Sequence, residues 1–157
     1  MASTTRWILD TDWATCGFST SDFNSLASGS VVVASGAVTN GTALDQYADV
    51  SFVVTVGGTT TATSYFDLYI LPLNQDGTTY GDGVANGSTA PTFGYRKAST
   101  GVKTGITSGN TITGTFPTVI LPVGNFKYAI VNNLGVALNA TAAATVKHRT
   151  FNENLNA

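Results

Sequence analysis

The chain has 157 residues, enough for one domain with a core that needs no disulfide or metal staple, and 43% of them are hydrophobic, too many for a disordered chain. Charged residues make up only 10%, seven basic and nine acidic for a formal net charge of −2, which leaves no cluster of Lys and Arg to displace counterions from nucleic-acid phosphates. The lone Cys16 excludes an internal disulfide and a zinc site built on several thiolates, and the apolar runs fall far short of the ~20 residues that cross a bilayer as a helix.

The N-terminus, Met1 to Arg6, does not open a basic stretch followed by an apolar one, so no secretory signal is expected. Thr, Val, Gly, Ala and Asn crowd the chain, and Glu153 is its single glutamate. Helix surfaces favour Glu, Lys, Gln and Arg, whereas β-branched Thr and Val fit a pleated surface. One short helix is nevertheless expected near the start. Ser19 offers a cap with Asp22 three positions on, Phe23 and Leu26 share a face, and Gly29 ends the run.

Strands follow. Val50, Phe52, Val54 and Val56 alternate with Ser51, Val53 and Thr55, and Gly57-Gly58 breaks the run. In residues 65–71, Phe66, Leu68 and Ile70 are expected inward, with Tyr65, Asp67 and Tyr69 outward; Pro72 ends the ladder. Residues 74–87 form a polar loop, and a weaker strand is expected over 92–97. Residues 110–116 alternate Ile112 and Phe116 with threonines, and Pro117 implies a bulge or a change of direction before 118–121. A turn at 122–125 leads to Phe126, Tyr128 and Ile130 alternating with Lys127, Ala129 and Val131. The last strand, about 142–151, alternates Val146, His148 and Thr150 with Lys147, Arg149 and Phe151.

Short strands separated by Gly, Pro and Asn turns imply an all-β antiparallel sandwich, jelly-roll-like. Residues 1–30 read as an N-terminal arm with the short helix, and residues 31–157 as the sandwich domain.

Chemistry is sparse. His148 is flanked by Lys147 and Arg149, whose side chains leave the other face of the sheet, and no G-x-S-x-G elbow is present. Cys16 could be a nucleophile, but a small packed residue is the simpler reading. Asp10-Thr11-Asp12 starts like a calcium loop yet lacks the Gly at its sixth position and the Glu at its twelfth. Asp76 and Asp82 flank a loop that could hold a structural ion, although such aspartates more often make Asx-turns. No catalytic residue, metal site or cofactor is therefore expected. Trp7, Trp13, Phe18 and Phe23 in the arm, with Tyr65 and Tyr69 on one strand, are the candidate interface residues, because large amphipathic rings outside a core often anchor a partner.

Several segments in order carry a resemblance: the tryptophan-bearing arm, residues 24–29, Leu44-Asp45-Gln46-Tyr47-Ala48-Asp49, Tyr69-Ile70-Leu71-Pro72, residues 76–83, Leu121 to Lys127, and Val131 to Leu138. Together they resemble the capsid decoration, or cement, proteins of tailed bacteriophages, over about Trp7 to Phe151. The resemblance implies a non-enzymatic virion protein, made in the host cytoplasm, that sits on the outer capsid surface. There it would bind the major capsid protein, bridge its subunits, and self-associate as a dimer or trimer, without nucleic acid or membrane. The alternative is a tail or fibre module that binds carbohydrate or a receptor through exposed rings.

Overall fold

A computed structural model of the protein describes residues 4–9, 12–88, 96–102 and 104–156. They form ten strands and no helix: β1 (Thr4–Leu9), β2 (Ala14–Thr15), β3 (Val31–Val33), β4 (Val38–Asn40), β5 (Tyr47–Thr55), β6 (Tyr65–Pro72), β7 (Arg96–Gly101), β8 (Thr111–Ile120), β9 (Gly124–Asn133) and β10 (Thr145–Asn156). All pairings are antiparallel. The first sheet runs β1–β10–β5–β8, with β2 also on β10; the second runs β3–β9–β6–β7, with β4 also on β9. Because β1 and β2 follow one edge of β10, and β3 and β4 one edge of β9, each sheet is four strands wide. From β4 onward every connection except β6–β7 changes sheet, the nesting of two Greek keys that makes a jelly roll.

Alternation builds the core. Val50, Phe52 and Val54 of β5, Phe66, Leu68 and Ile70 of β6, Phe126, Tyr128 and Ile130 of β9, and Val146 of β10 all point between the sheets. The Phe52 ring meets Phe66 of the opposite sheet edge-on at 4.9 Å and Phe116 of β8 at 5.4 Å. Gly114, on the neighbouring strand, leaves the room that the Phe52 ring fills.

The helix expected at residues 19–29 does not form. Ser19 does bind Asp22, through its amide at 2.8 Å and its hydroxyl at 2.7 Å, but the chain makes separate three-residue turns instead of a continuing ladder. Ser25 adopts φ 53°, and its amide donates to Asn139 O, so tertiary partners take the groups a helix would use. This N-terminal stretch is tied to the sandwich. β1 and β2 pair with β10, and Cys16, Phe23 and Leu26 lie in the core.

Asp67 and Tyr69 are also not outward in the sense of exposed. Both are buried: Tyr69 joins Val31, Leu71, Ala129 and Val131 in a second apolar cluster on the outer face of the second sheet, packed by Tyr80 and Val84 of the loop after β6, and Asp67 accepts a hydrogen bond from Asn133 Nδ2 at 3.2 Å. Residues 92–95 of the weaker strand lie outside the described residues, and β7 begins at Arg96. Pro117 does mark a bulge. Ala48 faces Val119 but Val50 faces Phe116, so Asp49 opposes two residues, and Thr118 takes φ 51°.

A methyl group at position 114 would overlap the Phe52 ring. Gly114→Ala is therefore expected to destabilise the protein by about 1–3 kcal/mol, read as a lower urea midpoint with unchanged slope.

Candidate functional site

Parity along the strands sends half of the first sheet's residues outward, and the register sorts them into rows. Leu9 of β1 pairs with Phe151 of β10, Phe151 with Tyr47 of β5, and Tyr47 with Ile120 of β8. Cross-strand partners share a face, so these four side chains form one apolar row across the whole sheet. The Tyr47 and Phe151 rings stack at 5.7 Å, while Leu9 and Ile120 at the ends are 56% and 63% exposed.

The next row is polar. Arg149 faces Asp49 and grips its Oδ2 through Nε at 3.0 Å and Nη2 at 2.9 Å. Asp49 Oδ1 accepts the Thr118 amide at 2.9 Å, which the bulge turns toward it. The guanidinium also lies over the Trp13 ring, 5.0 Å from Cζ to the ring centroid. A groove of about 470 Å³ runs between the rows, lined by Leu9, Asp49, Thr118, Arg149 and Phe151. Beyond it, Lys147 faces Ser51, and Ser51 faces Thr115.

The strand ends add to this surface. Leu44 and Val123, in the loops that join β4 to β5 and β8 to β9, are exposed, and Asn40 ties those loops together by donating to Asp45 O and Pro122 O. Leu9 and Ile120 on the outer face, and Leu44 and Val123 in the loops beside Tyr47 and Ile120, thus gather toward one end of the molecule, with Ile8 next to them but turned to the opposite face of β1 and Trp13 farther along the sheet; of the large exposed hydrophobic residues described, Tyr65 alone lies elsewhere. Past Phe151, the β10 ladder pairs among the described residues with β1 alone, as a two-stranded ribbon. Such a ribbon is marginal in water without something packed on it.

The six expected interface residues scatter. Trp13 belongs to the exposed face. Trp7 pairs with Glu153 in the ribbon, and its side chain lies outside the described part of the structure. Phe18 is half-buried against Phe23, at 5.2 Å between centroids, and Phe23 is fully buried in the core. Tyr65 is exposed at the start of β6, but Tyr69 is covered, so the two do not form an open aromatic ladder. Leu9, Leu44, Tyr47, Ile120, Val123, Arg149 and Phe151 carry the surface without having been singled out. The alternation of Arg149 and Phe151 against His148 and Thr150 hints at their direction, but only the register shows that they meet Asp49 and Tyr47.

Groups with chemical potential are spent on the fold. Cys16 is buried, and loss of solvent pushes its thiol up to about 12. His148 is buried, with its Nδ1 3.2 Å from Tyr128 Oη. Burial raises the Tyr128 phenol well above 10, so the hydroxyl keeps its proton and shares a hydrogen bond with Nδ1. Burial also lowers His148 below 6.5, against a smaller opposing pull from Asp45. A cavity of about 170 Å³ beside the ring is lined by Asn40, Asp45, Leu121 and Thr150, among others.

Asp76 is exposed and held down to about 2, first by hydrogen bonding to the Thr79 side chain and then by the Thr78 and Thr79 amides, each 2.9 Å from Oδ1. It makes an Asx-turn, as Asp82 does with the Val84 amide at 3.2 Å. Asp10 and Thr11 lie outside the described residues. Among those described, no three His, Cys, Asp or Glu side chains converge as metal ligands would, and no helix is long and apolar enough to cross a membrane. No protein-family model matches the chain, and no curated protein matches it either.

Two outcomes follow for the buried groups. The unfolded chain takes up a proton on His148 near pH 6.5 while the folded one resists until a lower pH. Stability is therefore expected to fall as pH drops below about 6.5, and His148→Gln should flatten that part of a melting-temperature profile. A disulfide reagent at pH 8 should leave Cys16 untouched in the native protein and modify it after denaturation.

Proposed function

We propose that the protein is a non-enzymatic structural component of a tailed-bacteriophage virion. It is a decoration protein that binds the outside of the head and stabilises the shell by bridging major capsid protein subunits. The observation that carries this reading is the concentration of exposed apolar side chains toward one end of the sandwich, with Leu44 and Val123 in the β4–β5 and β8–β9 loops there. A patch of that kind on a near-neutral domain suits a protein partner. The resemblance of the segments from Trp7 to Phe151 to decoration proteins supplies the setting.

A stiff jelly roll serves such a role physically, because a cement must carry load without deforming. Each contact can be modest, since repetition over a lattice raises the effective concentration of every copy. The alternative, a sugar-binding tail module, loses part of its basis with Tyr69 covered by its own loop.

Point substitutions test this better than removal of residues 1–28, which would take Cys16, Phe23 and Leu26 out of the core. Leu44→Asp and Val123→Asp change residues that are 52% and 76% exposed, so the fold should survive. Added to heads lacking the protein, the wild type is expected to bind in regular positions outside the shell and to raise its melting temperature. Each variant should bind at least about tenfold more weakly. Wild-type density confined to a tail fibre, or undiminished binding by both variants, would reject the reading.

A further inference from the structure

We propose that the outer face of the first sheet is a homodimer interface, on which a second copy packs face to face about a twofold axis running along the strands between β10 and β5. This names a partner for the surface described above and extends the decoration reading, although its physical grounds are independent of any capsid.

Such an axis reverses the order of the strands while keeping position along them. The apolar row reads Leu9, Phe151, Tyr47, Ile120 across the sheet. Reversed, it sets Leu9 on the partner's Ile120 and Phe151 on the partner's Tyr47, aliphatic against aliphatic and ring against ring. The polar row reads Trp13, Arg149, Asp49, Thr118. Reversed, it sets Arg149 over the partner's Asp49 and Asp49 over the partner's Arg149. Each Arg149–Asp49 pair is a short dipole, and the axis stacks the two dipoles antiparallel, their favourable arrangement. In the following row, Lys147 meets the partner's Ser51 instead of a like charge.

One axis therefore satisfies three successive rows, which is what an isologous contact requires and what an unrelated partner would have no reason to find. The second sheet has no such option, because Tyr80 and Val84 already cover its outer face.

Size sets the strength. Four strands about 4.8 Å apart and about seven residues long at ~3.4 Å each present roughly 450 Å² per copy, so the dimer buries on the order of 1,000 Å² in all. That lies at the lower bound for a specific interface and suits a weak, reversible dimer.

Sedimentation of the purified full chain, without any capsid, tests the proposal. The wild type should pass from monomer to dimer across roughly micromolar concentrations. Leu9→Lys and Ile120→Glu alter two highly exposed side chains and should each weaken self-association at least about tenfold with unchanged circular dichroism and melting temperature. Mixed in equal amounts, the two variants should associate better than either alone, because the axis brings the introduced lysine against the introduced glutamate and leaves the other Leu9–Ile120 contact intact. A wild type that stays monomeric to about 1 mM, a stable trimer, or a mixture no better than its components would overturn the interface. No head particle takes part, so that failure would leave the decoration reading standing; loss of particle binding by the Leu44 and Val123 variants with dimerisation intact would do the reverse.

Discussion

Phe52 touches Phe66 across the sandwich and Phe116 on the adjacent strand, and that contact fixes the direction of every residue on β5. Side chains alternate along a strand, so with Phe52 inward, Val50 and Val54 are inward too, and Tyr47, Asp49 and Ser51 must face out beyond the local irregularity. The antiparallel ladder passes the same choice to β10, where His148 turns in and Arg149 and Phe151 turn out. A one-residue slip of β5 would bury Asp49 and expose Phe52, at a cost no surface contact could offset. The outer rows are thus a consequence of core packing. Their order across the sheet is as fixed as the core itself.

The bulge at Asp49 shows the same coupling from the other side. Pro117 stands in β8 where two residues oppose one. The displaced Thr118 amide finds Asp49 Oδ1, which leaves Oδ2 to take both hydrogen bonds from Arg149. Arg149 in turn sets its Cζ 5.0 Å from the centroid of the Trp13 ring. A backbone irregularity written in the sequence as a single proline therefore positions an ion pair and an aromatic ring on the surface.

How much of this the sequence reveals depends on whether the signal is local. Period-two alternation marks β5 and β10 because burial on one face only writes itself into consecutive residues, whereas β9 keeps its inward set of Phe126, Tyr128 and Ile130 although Ala129 and Val131 on its other face are buried too. The proline at 117 announces its bulge for a similar reason. The segment 19–29 misleads because Ser19 and Asp22 do bond as a helix cap would, while the decision against a helix is made by Asn139 and Ala142, more than a hundred residues away. Tyr69 misleads because alternation says which face a residue takes and not what else covers that face; Tyr80 and Val84 arrive from a loop with no regular period. The apolar row is the least legible feature of all. Leu9, Phe151, Tyr47 and Ile120 come from four strands spread over the whole chain, and only strand register brings them into line.

Edges explain why association should use a face. β8 ends the first sheet, yet Pro117 withholds a donor there and the bulge at Thr118 twists the backbone away from a neighbour's reach. The other side of the sheet is divided between β1 and the two-residue β2, too interrupted to template a long added strand. Pairing of the β8 edge with the opposite edge of another copy would have been heterologous and free to propagate into fibres. Closing the edges and leaving one face open restricts the molecule to contacts that saturate. With only 10% of its residues charged, it has little net field to keep copies apart, and the Arg149–Asp49 pair becomes the main electrostatic element at the centre of that face. A self-limiting, weakly adhesive, rigid domain is what a repeated lattice component needs, since tight binding at each site would trap misplaced copies before the lattice could correct them.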